Sequence, residues 1–358
     1  MQSTLELSEF DQMIGRLFMA GIPGPQLDRA TKALVRDHCL GGVILFARNI
    51  EDPVQLAGLC HDLQETAMGE HGIPLFLAVD QEGGRVARLK APFTLFPGNR
   101  AMGNDPEPVE RAREFGSVTA REMRLVGLNM DMAPVVDVLR GDPERHLEGR
   151  MFSHDPEKVA LLGRIVTRGL QQGGVMAVAK HFPGLGRATL DPHHHLPFIK
   201  ADVEEIVGTN LPPFRAVIEE GVSGIMTSHA VYPALDPQSP GTLSRKVITG
   251  LLRKNLEFEG LIITDDLEMG AISKGRWGVA GGAVTAFEAG CDILLICEDQ
   301  DEVLSGMEAL RNALLREEIP VKRLHESVRR IMAAKARFLE KGVEVSLTRV
   351  REYFRRGA

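Results

Sequence analysis

One loop of this chain carries side chains that can transfer protons. The apolar run 175–179 has the composition of a buried strand and leads into the charged pair Lys180-His181. Proline and glycine residues follow, so the chain must leave regular structure there. The loop then places Asp191 two residues before His193, and the proline between them favours an extended backbone at Asp191. An extended Asp-Pro-His can hold a carboxylate beside an imidazole, which orients a histidine for acid/base catalysis.

This loop has two other interpretations. The run 193–195 is His-His-His, and it could be solvated surface or a weak metal site. Together with His181 and His229 these rings could supply ligands to zinc. However, no histidine pair has the i,i+4 spacing of a zinc protease, and Lys180 next to His181 would repel a cation. No glycine loop of the dinucleotide-binding type follows a predicted strand either. We therefore expect no metal and no organic cofactor.

Composition limits the classes of protein that this chain can belong to. Of its 358 residues 44% are hydrophobic and 25% are charged, which is ordinary for a globular protein with a large core. The net charge of -7 argues against binding to nucleic acid. No apolar run reaches the roughly 20 residues of a membrane span, and the N-terminus lacks a secretory pattern. The four cysteines show no C-x-x-C pair, so we expect a reduced, cytoplasmic protein.

Short apolar runs alternate with helical patterns along the chain. The predicted strands are 15–19, 42–46, 74–79, 128–133, 175–179, 224–229, 260–266 and 292–297. Apolar strands separated by helices indicate a parallel sheet covered on both faces. Eight such units predict an α/β protein with a single-domain (β/α)8 TIM-type barrel, and an open doubly wound sheet is the alternative. We expect residues 1–340 to form the barrel and residues 341–358 to form a C-terminal tail or closing helix.

Charged side chains recur where the predicted strands end. Active sites of such barrels lie at the carboxyl ends of the strands. The residues at those ends are Asp80, Asp131, Asp137, Lys180, His181, His229, Asp265 and Asp266. The strands themselves are apolar, so we expect these charges to gather at one face of the barrel.

Four motifs of the chain resemble glycoside hydrolase family 3. They are Ala179–His193 (AKHFPGLGRATLDPH), Asp80–Val86 (DQEGGRV), Ala133–Val138 (APVVDV) and Ile263–Gly270 (ITDDLEMG). The first is highly specific, and the similarity extends in the same order over roughly residues 10–335. It is strongest to the single-domain β-N-acetylhexosaminidases of peptidoglycan recycling.

The resemblance implies roles for particular residues. Asp265 matches the nucleophile that forms a covalent glycosyl-enzyme, and His193 matches the general acid/base, which Asp191 polarises. The positions that match contacts to the terminal sugar are Asp80, Arg88, Arg150, Lys180 and His181. Retaining glycosidases normally use two carboxylic groups. A histidine can replace one of them because it titrates near neutral pH, and a neighbouring carboxylate favours its protonated form.

The implied function is that of a retaining exo-β-N-acetylglucosaminidase acting on small saccharides such as muropeptides, as a cytoplasmic protein and plausibly a monomer. Three departures from the family pattern affect the leaving-group side. Leu185 replaces a frequent histidine, Pro192 replaces a small serine, and the segment 140–146 lacks the usual asparagine. Another family 3 β-glycosidase or a phosphorylase is an alternative. A catalytically silent sugar-binding protein is disfavoured, because Asp265 and His193 are both present.

Overall fold

Eight parallel strands form a closed barrel in the computed structural model, which describes residues 8–339 and 345–355. The strands are β1 Phe18–Gly21, β2 Gly42–Leu45, β3 Phe76–Val79, β4 Met130–Asp131, β5 Met176–Phe182, β6 Gly224–Thr227, β7 Leu261–Ile263 and β8 Leu294–Ile296. From β1 to β7 each strand pairs with the next in sequence, and β8 pairs with β1. A bridge between Ile263 and Ile293 joins β7 to the entry of β8. The predicted barrel is confirmed, and the open-sheet alternative is wrong.

The strands are apolar because both of their faces are covered. Every residue of the eight strands is buried, with the barrel interior on one face and helices on the other. Two predicted strands were misplaced. Residues 15–19 were expected to form the first strand, but Gly15 ends the helix Glu9–Gly15, whose N-cap Ser8 accepts a hydrogen bond from the Asp11 N–H. The fifth strand was expected to end at residue 179, but β5 continues through Lys180 and His181.

Helices fill the connections between strands. The α-helices are Glu9–Gly15, Arg29–His38, Pro53–His71, Asn99–Asn104, Pro108–Leu125, Pro156–Gln172, Val203–Glu205, Leu211–Glu219, Gly270–Ser273, Gly278–Ala289, Gln300–Leu315, Val321–Leu339 and Leu347–Arg355. Wider π-helical turns occupy Ile206–Asn210 and Lys246–Asn255, and short 3₁₀ turns occupy Ala47–Asn49, Arg145–Leu147 and Gly241–Leu243. Small hairpins follow β3 (Gln81–Gly83 with Val86–Ala87) and β6 (Val231–Tyr232 with Asp236–Pro240). Asp155 caps one helix ahead of a proline, as predicted.

The C-terminal helix packs back onto the barrel. The Phe354 ring lies 4.7 Å from the Phe93 ring, centroid to centroid, and the Tyr353 hydroxyl donates to Glu122 at 3.2 Å. The predicted division at residue 340 falls on residues 340–344, which lie outside the described residues. Among the described residues, no helix combines the length and the apolar composition needed to cross a bilayer.

Lys335 is a buried cation at the amino-terminal end of the barrel strands. Its side chain is on the buried face of the helix Val321–Leu339, and its Nζ donates to the Gly41 carbonyl at 2.9 Å. Nζ also lies 4.9 Å from the centroid of the Phe76 ring. Burial lowers the pKa of Lys335 to about 7. Since an exposed lysine titrates near 10.4, the unfolded chain binds a proton there that the folded chain gives up above neutral pH.

We predict that Lys335→Met raises the free energy of unfolding at pH 7 by on the order of 2 kcal/mol. A pKa depression of about three units costs about 4 kcal/mol, and the lost hydrogen bond to the Gly41 carbonyl offsets part of that gain. The gain should shrink as the pH approaches 10, where the lysine of the unfolded chain also loses its proton. Urea unfolding at pH 7 and pH 9.5 measures both values. Lys322→Met, at an exposed position of the same helix, is the control. An equal gain at both pH values would contradict the assignment.

Candidate active site

A cavity of about 190 Å³ opens at the carboxyl ends of the strands. Seven of the eight site residues predicted from the sequence line it: Asp80, Arg88, Arg150, Lys180, His181, His193 and Asp265. The eighth, Asp191, is hydrogen-bonded to His193. Residues separated by up to 185 positions in sequence therefore meet at one end of the barrel, because β3, β5 and β7 all end there.

The floor of the cavity is a network of charged side chains. Lys180 Nζ lies 2.7 Å from Asp80 Oδ1 and 2.7 Å from Glu82 Oε1. Arg150 donates two hydrogen bonds to Glu82, at 2.9 and 2.7 Å, and Arg88 donates one to Asp80 at 3.2 Å. Burial alone would raise the pKa of both carboxyls. Lys180, Arg88 and Arg150 hold the pKa of Asp80 well below its ordinary value, and Arg150 and Lys180 do the same for Glu82. The floor therefore presents fixed, ionised donors and acceptors to a ligand.

His181 is oriented by a second carboxylate. Its Nδ1 lies 2.7 Å from Asp137 Oδ2, while Asp137 Oδ1 accepts from the Leu185 N–H at 2.6 Å. Its Nε2 faces Arg150 Nη2 at 3.4 Å. A guanidinium can only donate, so Nε2 of His181 accepts and Nδ1–H donates to Asp137. The peptide bond between Lys180 and His181 is cis.

Asp265 and Asp266 follow β7 and have opposite electrostatic surroundings. Burial alone would raise the pKa of Asp265, but His229, His181, the Asp266 N–H and Lys180 keep it below its ordinary value. Burial raises the pKa of Asp266 to about 7. Divergent shifts in adjacent carboxyls commonly mark a division of roles in an active site. Here they leave Asp265 as the ionised member of the pair at neutral pH.

His229 supports this pair from β6. Its Nε2 lies 2.9 Å from the Asp266 carbonyl, and its Nδ1 lies 2.7 Å from Thr242 Oγ1. Burial lowers the pKa of His229, and the Asp265 carboxylate opposes that shift. A carbonyl can only accept a hydrogen bond, so Nε2 carries a proton. The ring therefore holds the backbone after β7 by a hydrogen bond from Nε2–H. The sequence analysis considered His229 at a strand end, and as a possible zinc ligand, but it predicted no contact between His229 and the backbone after β7.

The loop with Asp191 and His193 lies over the cavity. Asp191 Oδ1 is 2.6 Å from His193 Nδ1 and accepts from the His193 N–H at 2.9 Å. The His193 side chain is 58% exposed, so it remains accessible at the mouth of the cavity. The loop is docked through its backbone, because Gly270 N–H donates to the His193 carbonyl at 3.0 Å and Ala271 N–H donates to the Pro192 carbonyl at 3.1 Å.

A second carboxylate–imidazole pair lies beside this loop. His146 Nδ1 is 2.5 Å from Glu144 Oε2 and 3.9 Å from Asp191 Oδ1. Glu144, His146 and Asp191 each offer one ligand atom, and these atoms all lie within 4.8 Å of one another. Within the described ranges they are the group whose geometry could hold a cation.

Sequence reasoning missed several residues of the site. Glu82 stands in the same motif as Asp80, so that motif could have identified it. Asp137 was expected at this face of the barrel, but its hydrogen bond to His181 was not predicted. Glu144 and His146 lie in a segment without helical or strand periodicity, around the short turn Arg145–Leu147. The family resemblance placed the segment 140–146 on the leaving-group side, but it gave neither Glu144 nor His146 a role.

A parallel barrel with catalytic-type side chains collected at its carboxyl end has the architecture of a (β/α)8 enzyme. The family model described as "Glycosyl hydrolase family 3 N terminal domain" matches residues 9–334. A β-hexosaminidase of Thiobacillus denitrificans is 37% identical over 299 residues, which cover 81% of this chain and 81% of that protein. One of Pseudomonas aeruginosa is 37% identical over 299 residues, covering 82% and 86%.

Solved structures agree with these relatives. The structure of a family 3 β-N-acetylglucosaminidase from Paenibacillus sp. FPU-7 has a TM-score of 0.89 and 36% identity, covering 98% of this chain and 69% of that one. The chain therefore belongs to glycoside hydrolase family 3. It is a glycoside hydrolase of the β-N-acetylhexosaminidase type.

We predict that Gly270→Ala disturbs the docked loop. A Cβ at this position would lie 2.8 Å from the His193 carbonyl oxygen and 3.0 Å from that of His194. Displacing a catalytic group by about 1 Å can cost 10²-fold, so kcat should fall by about 10- to 100-fold. Steady-state kinetics and hydrogen exchange of the loop measure the effect. Gly281→Ala, where a Cβ meets nothing within 4 Å, should change kcat by less than about twofold. Equal behaviour of the two variants would contradict the docking role.

Proposed function

We propose that the protein hydrolyses terminal β-linked N-acetylglucosamine residues with retention of configuration. Asp265 is the nucleophile, and His193, polarised by Asp191, is the general acid/base. The observation that carries the proposal is that an ionised Asp265 and the hydrogen-bonded Asp191–His193 pair border one cavity whose floor is ionised. The alternative of a silent binding protein gives no reason for this arrangement.

In the first step an oxygen of Asp265 attacks the anomeric carbon. The bond from that carbon to the leaving oxygen breaks, and its electron pair stays on the oxygen, which takes a proton from Nε2 of His193. Asp191 accepts a hydrogen bond from Nδ1–H of His193, so the proton that stays on the ring is held on Nδ1. The products are the released aglycone and an ester between Asp265 and the sugar.

In the second step His193 acts as the base. Its neutral Nε2 takes a proton from water, the water oxygen attacks the anomeric carbon, and the ester bond breaks with its electron pair returning to Asp265. Two displacements at the same carbon give net retention. Asp265 suits both steps because its surroundings favour the carboxylate.

The floor network binds the terminal sugar in this proposal. Asp80, Arg88, Arg150, Lys180 and His181 supply donors and acceptors whose positions are fixed by their mutual ion pairs and hydrogen bonds. A preorganised polar site rejects analogues that leave its groups unpaired. Exo action follows, because the charged floor closes the cavity behind one terminal residue.

Muropeptides as the source of the substrate remain a prediction from the family resemblance, and a cytoplasmic location remains a prediction from the sequence pattern. A monomeric state also remains a prediction. The division of the chain at residue 340 also remains a prediction. The relatives named β-hexosaminidase support the class of reaction, which is the hydrolysis of a terminal N-acetylhexosamine residue.

We predict that Asp265→Asn lowers turnover by about 10⁴-fold or more, because an amide cannot attack the anomeric carbon. The fold should be intact, as circular dichroism can show. A slow fluorinated glycoside should label wild-type protein on the peptide that carries Asp265. A label on Asp266 or Asp191 would refute the nucleophile assignment.

The substrate assignment predicts a strong preference for the aryl β-N-acetylglucosaminide over the matching β-glucoside, up to ~10⁴-fold in kcat/KM. Both substrates should be assayed with and without inorganic phosphate, with the released sugar identified. Free N-acetylglucosamine in both buffers supports hydrolysis. Sugar 1-phosphate as the main product would show a phosphorylase, and equal rates on the two substrates would show a broader β-glycosidase.

A further inference from the structure

His146 is a cavity-lining residue with no role in the mechanism above. It lies in the connection after β4, on the turn Arg145–Leu147, and lines the same cavity as His193. Its side chain is only 10% exposed. The two imidazole rings meet edge to face, with centroids 6.2 Å apart. His146 therefore forms the wall of the cavity beside the proton donor.

The hydrogen bonds of His146 fix which nitrogen carries its proton. Hydrogen bonds from the His146 backbone and ring lower the pKa of Glu144, so this carboxyl is ionised. Burial lowers the pKa of His146, although Glu144 and Asp191 oppose the shift, so the ring is neutral near pH 7. A carboxylate can only accept, hence Nδ1–H donates to Glu144 and Nε2 holds a lone pair.

Nε2 of His146 has no hydrogen-bond partner among the described residues, although the atom is buried. A buried acceptor without a donor is costly, and such atoms in native structures commonly indicate a ligand or a function. The backbone that carries the ring is also held in place on both sides of the turn. Arg85 donates to the His146 carbonyl at 2.7 Å, and Glu144 N–H donates to the Ala188 carbonyl at 2.7 Å. The second bond ties His146 to the loop that carries His193.

We propose that Nε2 of His146 accepts a hydrogen bond from a hydroxyl group of the leaving group. This rests on the proposed function, in which His193 protonates the leaving oxygen, so the wall next to His193 borders the leaving group rather than the terminal sugar. His146 is then a specificity-determining residue that favours sugar leaving groups over leaving groups without hydroxyls. The substrate class that follows is a glycan in which the terminal residue is linked to a second sugar.

Two substrates separate this role from support of the catalytic pair. N,N′-diacetylchitobiose and methyl β-N-acetylglucosaminide both release a poor leaving group that needs a proton, but only the first leaving group carries hydroxyls. His146→Phe keeps an aromatic ring and removes the acceptor. We expect kcat/KM for the disaccharide to fall about 10- to 100-fold, as for a lost hydrogen bond to a buried group, and that for the methyl glycoside to change less than about threefold.

Two further variants keep the test decisive. His146→Gln retains a side-chain acceptor of smaller size and should recover part of the disaccharide activity, including when His146→Phe does not fold. His194→Phe, at an exposed position of the neighbouring loop, should leave both substrates unaffected. All assays contain EDTA, so that Glu144, His146 and Asp191 hold no cation during the comparison.

The possible outcomes distinguish this proposal from the proposed function. Equal losses on both substrates would show that His146 only positions the Asp191–His193 pair, and would overturn the proposal. An unchanged ratio in an active His146→Phe variant would overturn it as well. A wild-type protein that cleaves neither N-acetylglucosaminide would instead refute the proposed function, and with it this inference.

Discussion

The site depends on burying Lys180 between two carboxylates. Its side chain is 2% exposed, and its ammonium lies 2.7 Å from both Asp80 and Glu82. Removing a cation from water costs several kcal/mol, and that cost is offset only if both partners keep their charge and position. β5 must therefore continue as strand through Lys180, and the hairpin after β3 must bring Glu82 inward. Arg150 and Arg88 complete the set, so the side chains that contact the sugar in the proposed mechanism hold one another in fixed positions.

The same low-dielectric surroundings separate charged carboxyls from neutral ones. Burial raises the pKa of Asp131 well above its ordinary value, and Asp131 makes one hydrogen bond, from the Gln81 N–H at 3.0 Å. Burial and the nearby charges of Asp80 and Glu82 thus disfavour the charged form of Asp131 beside the floor network. Asp266 is likewise shifted upward, whereas Asp265 faces imidazoles and remains an anion. Position relative to cations, rather than residue type, decides which aspartate is reactive.

Much of the architecture was predictable because the relevant signals are local. Apolar runs alternating with helical patterns specify a parallel barrel, and charges at strand ends specify the face that carries the site. The first strand was misplaced because the run 13–20, which is apolar apart from Gly15 and Arg16, spans both the end of a helix and the start of β1. A short apolar run cannot distinguish a helix end from a strand. His146 was missed because its position depends on a long irregular connection, whose path is set by tertiary contacts such as that between Glu144 and Ala188.

The docking of the catalytic loop has a kinetic consequence. The backbone bonds to Gly270 and Ala271 are few, and the loop tip at His193 to His195 is exposed. Segments held in this way open at a small free-energy cost compared with the barrel beneath them. In the proposed mechanism Asp265 and the sugar floor belong to the rigid barrel, while His193 moves with the loop. That mechanism then requires the loop to be closed for cleavage, so the frequency of loop closure would set an upper limit on turnover.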